Sequence, residues 1–382
     1  MGYRQASRSI LITADPIGGV WHYALELCRE LQKLDIEVTL ATMGRYLTQV
    51  ERDAVAGLEN VELFESNYKL EWMDDPWHDV EEAGEWLLDL SARTRPRLIH
   101  LNQYCHGSLP WPVPCLLVGH SCVYSWYEGV KHVAPGPEWR QYKEKVRQGL
   151  LGADLVTAPS RSMLNALRRY FGEFASAEAT YNGRSGAQFV PARKESLVLT
   201  AGRLWDEAKN VSILQSVAAR VPWPIYAAGN CQTPDGKNTP LRDLVLLGPL
   251  DSATLGQWFG RASVFVSPAR YEPFGLSALE AALSGCALVL GDIASLREIW
   301  GDAALFVPPD DADEITAVLL KLIENPLIRA QLAARARQRA GYFTPERMVK
   351  AYVQLYQNLI SAQPQPIVDE RAGSSPGRIA GG

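Results

Sequence analysis

Glu272 and Glu280 stand eight positions apart in EPFGLSALE, with a proline, a glycine and a short apolar run between them. Carboxylates are costly to bury without a partner, and the flanking stretch, from SVFVSPARY to AALSGCALVLGD, is strongly apolar. LSALEAALSG reads as a helix that Gly285 stops. That places Glu280 about a turn and a half inside it, roughly 7–8 Å from Gly275 at 1.5 Å per residue. Glu272 falls in the loop before it. The backbone amides of Phe274, Gly275, Leu276 and Ser277 would be free donors at the positive end of the helix. The order is acceptor, anion cradle, acceptor. A nucleotide sugar carries matching groups: sugar hydroxyls, a diphosphate, ribose hydroxyls. The plainer account makes Glu272 a helix-start acid and Glu280 a helix-surface acid, but Leu279, Ala281 and Ala282 beside Glu280 favour burial.

GRLWDEAKN supplies Arg203 and Lys209, six positions apart in a loop before a helix. A forked guanidinium and a mobile ammonium suit a diphosphate; alone, they read as two solvated charges. PIGGV supplies Gly18 and Gly19, where a backbone without side chains can approach a ligand just before a helix begins. It departs from the G-x-G-x-x-G dinucleotide pattern, so no nicotinamide site is read there. DDAD (Asp310 to Asp313) follows the last strand and reads as a helix-cap region. With no Asp-x-Asp at a strand end, no metal site is expected. The six cysteines form no C-x-x-C pair and read as buried free thiols.

These residues need strand ends to hold them. SILITAD, a Gly turn, VWHYALELCRELQKL with Val20, Tyr23, Ala24, Leu27 and Leu31 at helical spacing, then IEVTLAT, make a strand–helix–strand unit. RLIHLN, CLLVGHS and DLVTAPS read as further buried strands. A second series starts after YNGRSGAQFVPARKE: SLVLTAGR, a helix over NVSILQSVAARV, then the strands PIYAAGN, LVLLGPL, SVFVSPA, ALVLGD and ALFVPP. Strands alternating with helices predict two α/β domains, each a Rossmann-like parallel sheet, facing each other across a cleft. The expected boundaries are residues 1–186, completed by a C-terminal helix at 345–361, then 187–344, with a Pro-, Gly- and Ser-rich disordered tail at 362–382.

A chain of 382 residues suits two domains, and its 47% hydrophobic and 21% charged residues suit a globular protein. A net charge of −5 argues against a general nucleic-acid binder. The N-terminal apolar run is too short for a signal-peptide core or a membrane span, so a cytoplasmic protein is expected. The basic segments RARQR (Arg335 to Arg339) and WRQYKEKVRQGLL read as solvated faces, while peripheral contact with the inner face of a membrane stays open. The oligomeric state is not legible.

From VFVSPARYEPFGLSALEAALSGCALV to GDAALFVPPDD, together with AGRLWDEAKN, TYNGRSGAQF and GGVWHYALELCREL, the chain resembles the retaining glycosyltransferases of family 4, which have the GT-B fold. The resemblance runs from about Ile10 to Tyr356. It implies that Glu280 binds the ribose hydroxyls and that Glu272 lies by the donor sugar and reacting face. Arg203 and Lys209 neutralise the diphosphate, and Phe274, Gly275 and Leu276 hold phosphate and sugar hydroxyls through their amides. Gly18 and Gly19 belong to the loop that closes on the phosphates. The same resemblance implies that His120, in VGHSCVYSW, lines the donor sugar. The implied activity is transfer from a nucleotide-diphosphate sugar to a glycan, lipid-linked or other hydroxyl acceptor, with no cofactor and no metal. On the acceptor side Trp21, Tyr68, Trp72, Trp77, Tyr104 and Trp126 offer aromatic faces, though most read as core. The rival readings are a glycan phosphorylase of the same fold, for which no pyridoxal phosphate pocket motif is found, and a catalytically inactive sugar-binding or scaffold protein.

Overall fold

The computed structural model describes residues 9–174, 176–233, 236–237 and 239–362. The expected tail therefore lies outside the described residues from residue 363 onward. Strands β1 (Ser9–Ala14), β2 (Glu37–Thr42), β3 (Val61–Glu65), β4 (Leu98–Leu101), β5 (Cys115–Val118), β6 (Leu155–Ala158) and β7 (Ala177–Ala179) form one sheet in the order β3-β2-β1-β4-β5-β6-β7. Strands β8 (Glu195–Ala201), β9 (Ile225–Ala228), β10 (Val245–Gly248), β11 (Ala262–Ser267), β12 (Ala287–Gly291) and β13 (Leu305–Val307) form a second, in the order β10-β9-β8-β11-β12-β13. The pairings are parallel throughout.

The helices of the first half are α1 (Gly19–Gln32), α2 (Gln49–Ala56), α3 (Trp77–Thr94), α4 (Val123–Lys131), α5 (Arg140–Gly152) and α6 (Arg161–Phe171). Those of the second are α7 (Leu214–Ala218), α8 (Ser252–Arg261), α9 (Leu276–Leu283), α10 (Ala294–Trp300), α11 (Ala312–Glu324) and α12 (Pro326–Ala340), and α13 (Pro345–Ala362) ends the described chain. Helices cover both faces of each sheet. That is why strands such as β4, β5, β6 and β12 are buried at every position and read as unbroken apolar runs. Each sheet has a hydrophobic core on either face. Met348, Val349, Tyr352, Leu355 and Tyr356 of α13 return to the first sheet and pack with Leu27 and Leu31 of α1.

NVSILQSVAARV, expected as one helix, is a 3-10 turn (Val211–Ile213) followed by the five-residue α7. Asn210 ahead of it is left-handed, and its side-chain Nδ2 donates to Pro309 O (2.7 Å), so the chain enters the segment off a helical path. VELFE gives no clear strand signal in the sequence, yet it forms β3. Its burial is only partial and it sits at the sheet edge, so it lacks the apolar signal of a central strand. DDAD caps a helix as expected: the Asp311 carboxylate accepts from the amides of Asp313 and Glu314. No helix among the described residues is long and apolar enough to cross a membrane.

Candidate functional site

In an open parallel sheet, neighbouring strands whose connections leave in opposite directions open a crevice at their carboxyl ends. The strand orders place one such point between β1 and β4 and another between β8 and β11. Gly18 and Gly19 follow β1. Arg203 and Lys209 follow β8, and the segment from Glu272 to Glu280 follows β11. The glycines, cations and glutamates singled out from the sequence thus fall on these two crevices.

The crevices meet. Gly18 has φ +111°, a conformation that side chains rarely adopt. A methyl group there would lie 2.5 Å from Arg203 Nη1. One at Gly19 would lie 3.6 Å from Leu276 Cδ1. Helices α1 and α9 therefore begin side by side, and the unpaired amides of both first turns belong to one place. Asp206 holds the other edge of Arg203, accepting from Nε (3.2 Å) and Nη2 (2.6 Å), which leaves Nη1 turned to Gly18. Lys209 Nζ is ion-paired with Glu272, so the expected phosphate ligand and the expected sugar ligand touch. Gly275, at φ +91°, turns the chain into α9, with the Glu272 and Leu296 side chains 3.3 Å from where a Cβ would stand. The side chain of Phe274 goes to the core, edge-on to Phe343.

Glu280 is buried and occupied. Arg184, in the connection between the two sheets, donates from Nε to Glu280 Oε1 (2.7 Å) and from Nη1 to Glu26 Oε1 on α1 (2.8 Å). Burial raises the Glu280 carboxyl above its ordinary range, and Arg184 opposes that rise. Neither Arg184 nor Glu26 was singled out from the sequence. Arg184 is the one charged residue in YNGRSG, and nothing local links it to Glu280.

His120 follows β5. Its Nε2 lies 2.7 Å from Asn102 Oδ1, and its ring is edge-on to Tyr23 at 4.7 Å. Asn102 follows β4 and is pinned at two atoms: Nδ2 donates to Thr13 O (2.5 Å) and its backbone amide donates to Thr13 Oγ1 (2.8 Å). With the amide nitrogen committed, Oδ1 must accept, so His120 carries its proton on Nε2 and keeps Nδ1 as an acceptor. Burial pulls His120 down to about 3, so it is neutral at ordinary pH. Asp15, the last residue of SILITAD, is buried and raised to about 6 by burial, against the Ile17 amide and the charges of Arg203 and Arg45. Glu71 is raised to about 7 by burial while its Oε1 accepts from the Tyr104 amide (2.9 Å).

Cross-sheet bonds brace both sides of Glu272. Tyr271 Oη accepts from the Cys122 amide (3.3 Å) and bonds Ser125 Oγ (2.8 Å), while Ser160 Oγ donates to Pro273 O (2.8 Å). Glu298 on α10 accepts from the Arg161 and Ser162 amides that start α6 (both 2.8 Å). Of the aromatic set, Trp21 and Tyr104 are core residues, Tyr68, Trp77 and Trp126 are half-buried, and Trp72 is exposed.

Residues 17–184 match the family described as Glycosyltransferase Family 4, and residues 195–325 match the one described as Glycosyl transferases group 1. A phosphatidyl-myo-inositol mannosyltransferase of Mycolicibacterium smegmatis is 28% identical over 267 residues, 62% of this chain and 65% of that protein. The O-antigen chain mannosyltransferase B of Escherichia coli is 34% identical over 113 residues, 30% of each chain. The matched stretches thus span 65% and 30% of these relatives' lengths. Among solved structures, sucrose-phosphate synthase of Thermosynechococcus elongatus superposes with a TM-score of 0.79 at 20% identity, covering 93% of this chain and all of that one. HepE of Anabaena with UDP-glucose superposes with a TM-score of 0.71 at 16% identity, covering 92% of this chain and 100% of that one. At these identities the likeness is one of fold, and the fold is GT-B.

Proposed function

Since the chain belongs to the family-4, group-1 glycosyltransferases, we propose that it moves a hexose from a nucleotide-diphosphate donor to a hydroxyl acceptor with retention at the anomeric carbon. The observation that carries this reading is the meeting of Gly18 with Arg203, which brings two helix starts and two cations to one point. In this reading the diphosphate sits there, its ribose toward Glu280 and its sugar toward Glu272 and His120. The Anabaena neighbour is known with UDP and with UDP-glucose, which supports a nucleotide sugar as the partner.

The chemical problem is a leaving nucleoside diphosphate. Arg203 Nη1 and the first-turn amides of α1 and α9 would stand where its charge grows without reorganisation, and Lys209 joins them once the diphosphate draws its ammonium from Glu272. The acceptor oxygen bonds to the anomeric carbon on the face from which the phosphate oxygen departs. That phosphate takes the acceptor proton, so no separate base is needed. His120 can accept from a sugar hydroxyl but cannot donate to one, so its role is orientation. Losing one charge-assisted hydrogen bond to the diphosphate costs about 1.5–3 kcal/mol, roughly 10- to 100-fold. The cationic work falls to Arg203 and Lys209, so the reading is metal-independent. The acceptor is a glycan, a lipid-linked sugar or another hydroxyl compound.

A panel of nucleotide sugars in a thermal-shift assay tests the donor, because a bound ligand stabilises the fold by mass action. NMR of the product made from the best donor then reads the anomeric configuration. No shift with any nucleotide sugar, or an inverted product, overturns the reading.

A further inference from the structure

Arg184 is buried between two carboxylates that come from helices starting at the same point. Its side chain is 7% exposed, against 4% for Glu26 and 9% for Glu280. The fork is divided, Nε to Glu280 Oε1 and Nη1 to Glu26 Oε1, with the guanidinium lying 5.0 Å over the Phe189 ring. The backbone is anchored as well: the Arg184 amide donates to Phe343 O (3.1 Å), and the next amide, of Ser185, donates to Glu26 Oε1 (3.3 Å). The connection between the sheets thus carries a rigid cation that grips α1 with one arm and α9 with the other. Arg29 Nη1 lies 4.0 Å from the second oxygen of Glu26, so two guanidiniums face two carboxylates in a largely desolvated place, an arrangement of little value for stability alone. It has value if one carboxylate oxygen is kept for something else. Among the described residues, Glu280 Oε1 serves Arg184, while Oε2 makes no hydrogen bond and is not one of the fully enclosed, unpartnered polar atoms.

We propose that Arg184 is a positioning residue for the nucleoside end of the donor, holding Glu280 so that its second oxygen meets a ribose hydroxyl. The proposal rests on the reading of Glu280 as the ribose ligand. Without the guanidinium, Glu280 would face Glu26 unpaired, with no group fixing its rotamer. The diphosphate end would keep Arg203, Lys209 and the helix amides. Arg184 would therefore act on ribose recognition and not on phosphate binding.

The test compares affinities for a nucleoside diphosphate and its 2′,3′-dideoxy analogue, with the base that binds best among uracil, guanine and adenine. Calorimetry is run on the wild type, Arg184→Met, Arg184→Lys, Glu280→Gln and the Arg184→Met/Glu280→Gln pair, with melting temperatures recorded for each. The wild type should prefer the ribose form by about tenfold or more. That preference should collapse toward one in Arg184→Met and fall no further in the double variant. Arg184→Lys keeps the charge but cannot fork to two carboxylates, so it should lose most of the preference while folding. If Arg184→Met proves unstable, Arg184→Lys carries the test. A preference retained in the Arg184 variants, or a parallel loss of both ligands with the ratio intact, assigns the residue to general stability and overturns the proposal. A wild type or Glu280→Gln protein without the expected contrast overturns the ribose reading itself.

Discussion

Lys209 and Glu272 form an ion pair that joins the loop after β8 to the loop before α9. Both side chains are largely sheltered, 20% and 17% exposed. A diphosphate arriving at Lys209 competes with Glu272 for the same ammonium. Glu272→Ala should therefore free the cation. We expect nucleoside diphosphate affinity to hold or rise in that variant and transfer to fall steeply, while Lys209→Ala and Arg203→Ala weaken the diphosphate by about 10- to 100-fold. Calorimetry and single-turnover transfer read the two quantities. Glu272→Ala losing binding and transfer in equal proportion would remove the division of labour between the acids.

Gly18→Ala should damage the site beyond what it costs the fold. The new methyl would stand 2.5 Å from Arg203 Nη1 and would force a positive-φ alanine. Gly172→Ala is the control: it also sits at positive φ, +90°, but with nothing within 4 Å. Both should lower the melting temperature by similar amounts, and only Gly18→Ala should lose donor affinity, by about tenfold or more. Equal donor affinity in the two variants would mean that Arg203 moves aside without consequence.

Stability should fall on acidification. Burial pulls His100 down to about 3, His106 to about 4 and His120 to about 3. At pH 5 each stays neutral in the fold, while its unfolded counterpart, with an ordinary value of about 6.5, takes a proton. The unfolded chain then binds more protons, so stability is lost as pH drops below about 6.5, by up to about 1.4 kcal/mol per pH unit for each histidine. Asp15 and Glu71, raised to about 6 and about 7 by burial, act the other way: their contribution is present at low pH and is lost as pH rises through the interval from about 4 to those values. His22, pulled down to about 4 mainly by burial, adds to the three rings, and Glu280, raised by burial, adds to the two carboxyls; the four histidines outweigh the three carboxyls at pH 5. The melting temperature should drop from pH 7 to pH 5, and Glu71→Gln should steepen the drop by removing an opposing group. A flat or rising profile would contradict the burial of these rings.

Transfer should survive excess EDTA, since Arg203, Lys209 and the helix amides supply the positive charge. Loss of activity in EDTA with rescue by magnesium or manganese would show that a divalent ion shares the diphosphate.

Much of the site was legible in the order of residues. A helix stop at Gly285, a loop glycine at 275 and apolar neighbours placed Glu272 before a helix and Glu280 inside it, because helix periodicity and termination are local effects. The αβ alternation indicated two parallel sheets for the same reason. Sheet order was not legible. That β8 lies beside β11, and β1 beside β4, is set by how buried apolar faces pair across long separations, and it alone puts Arg203, Lys209 and Glu272 at one crevice. The partners are equally non-local. Arg184 meets Glu26 across 158 positions and Glu280 across 96, and Lys209 meets Glu272 across 63. His120 owes its tautomer to Asn102, which owes its orientation to Thr13 on β1, 89 positions away. Sequence spacing determined which chemical groups stand at strand and helix ends. The tertiary structure decided which of them face each other and are cut off from water, because desolvation and ion pairing depend on distance in space.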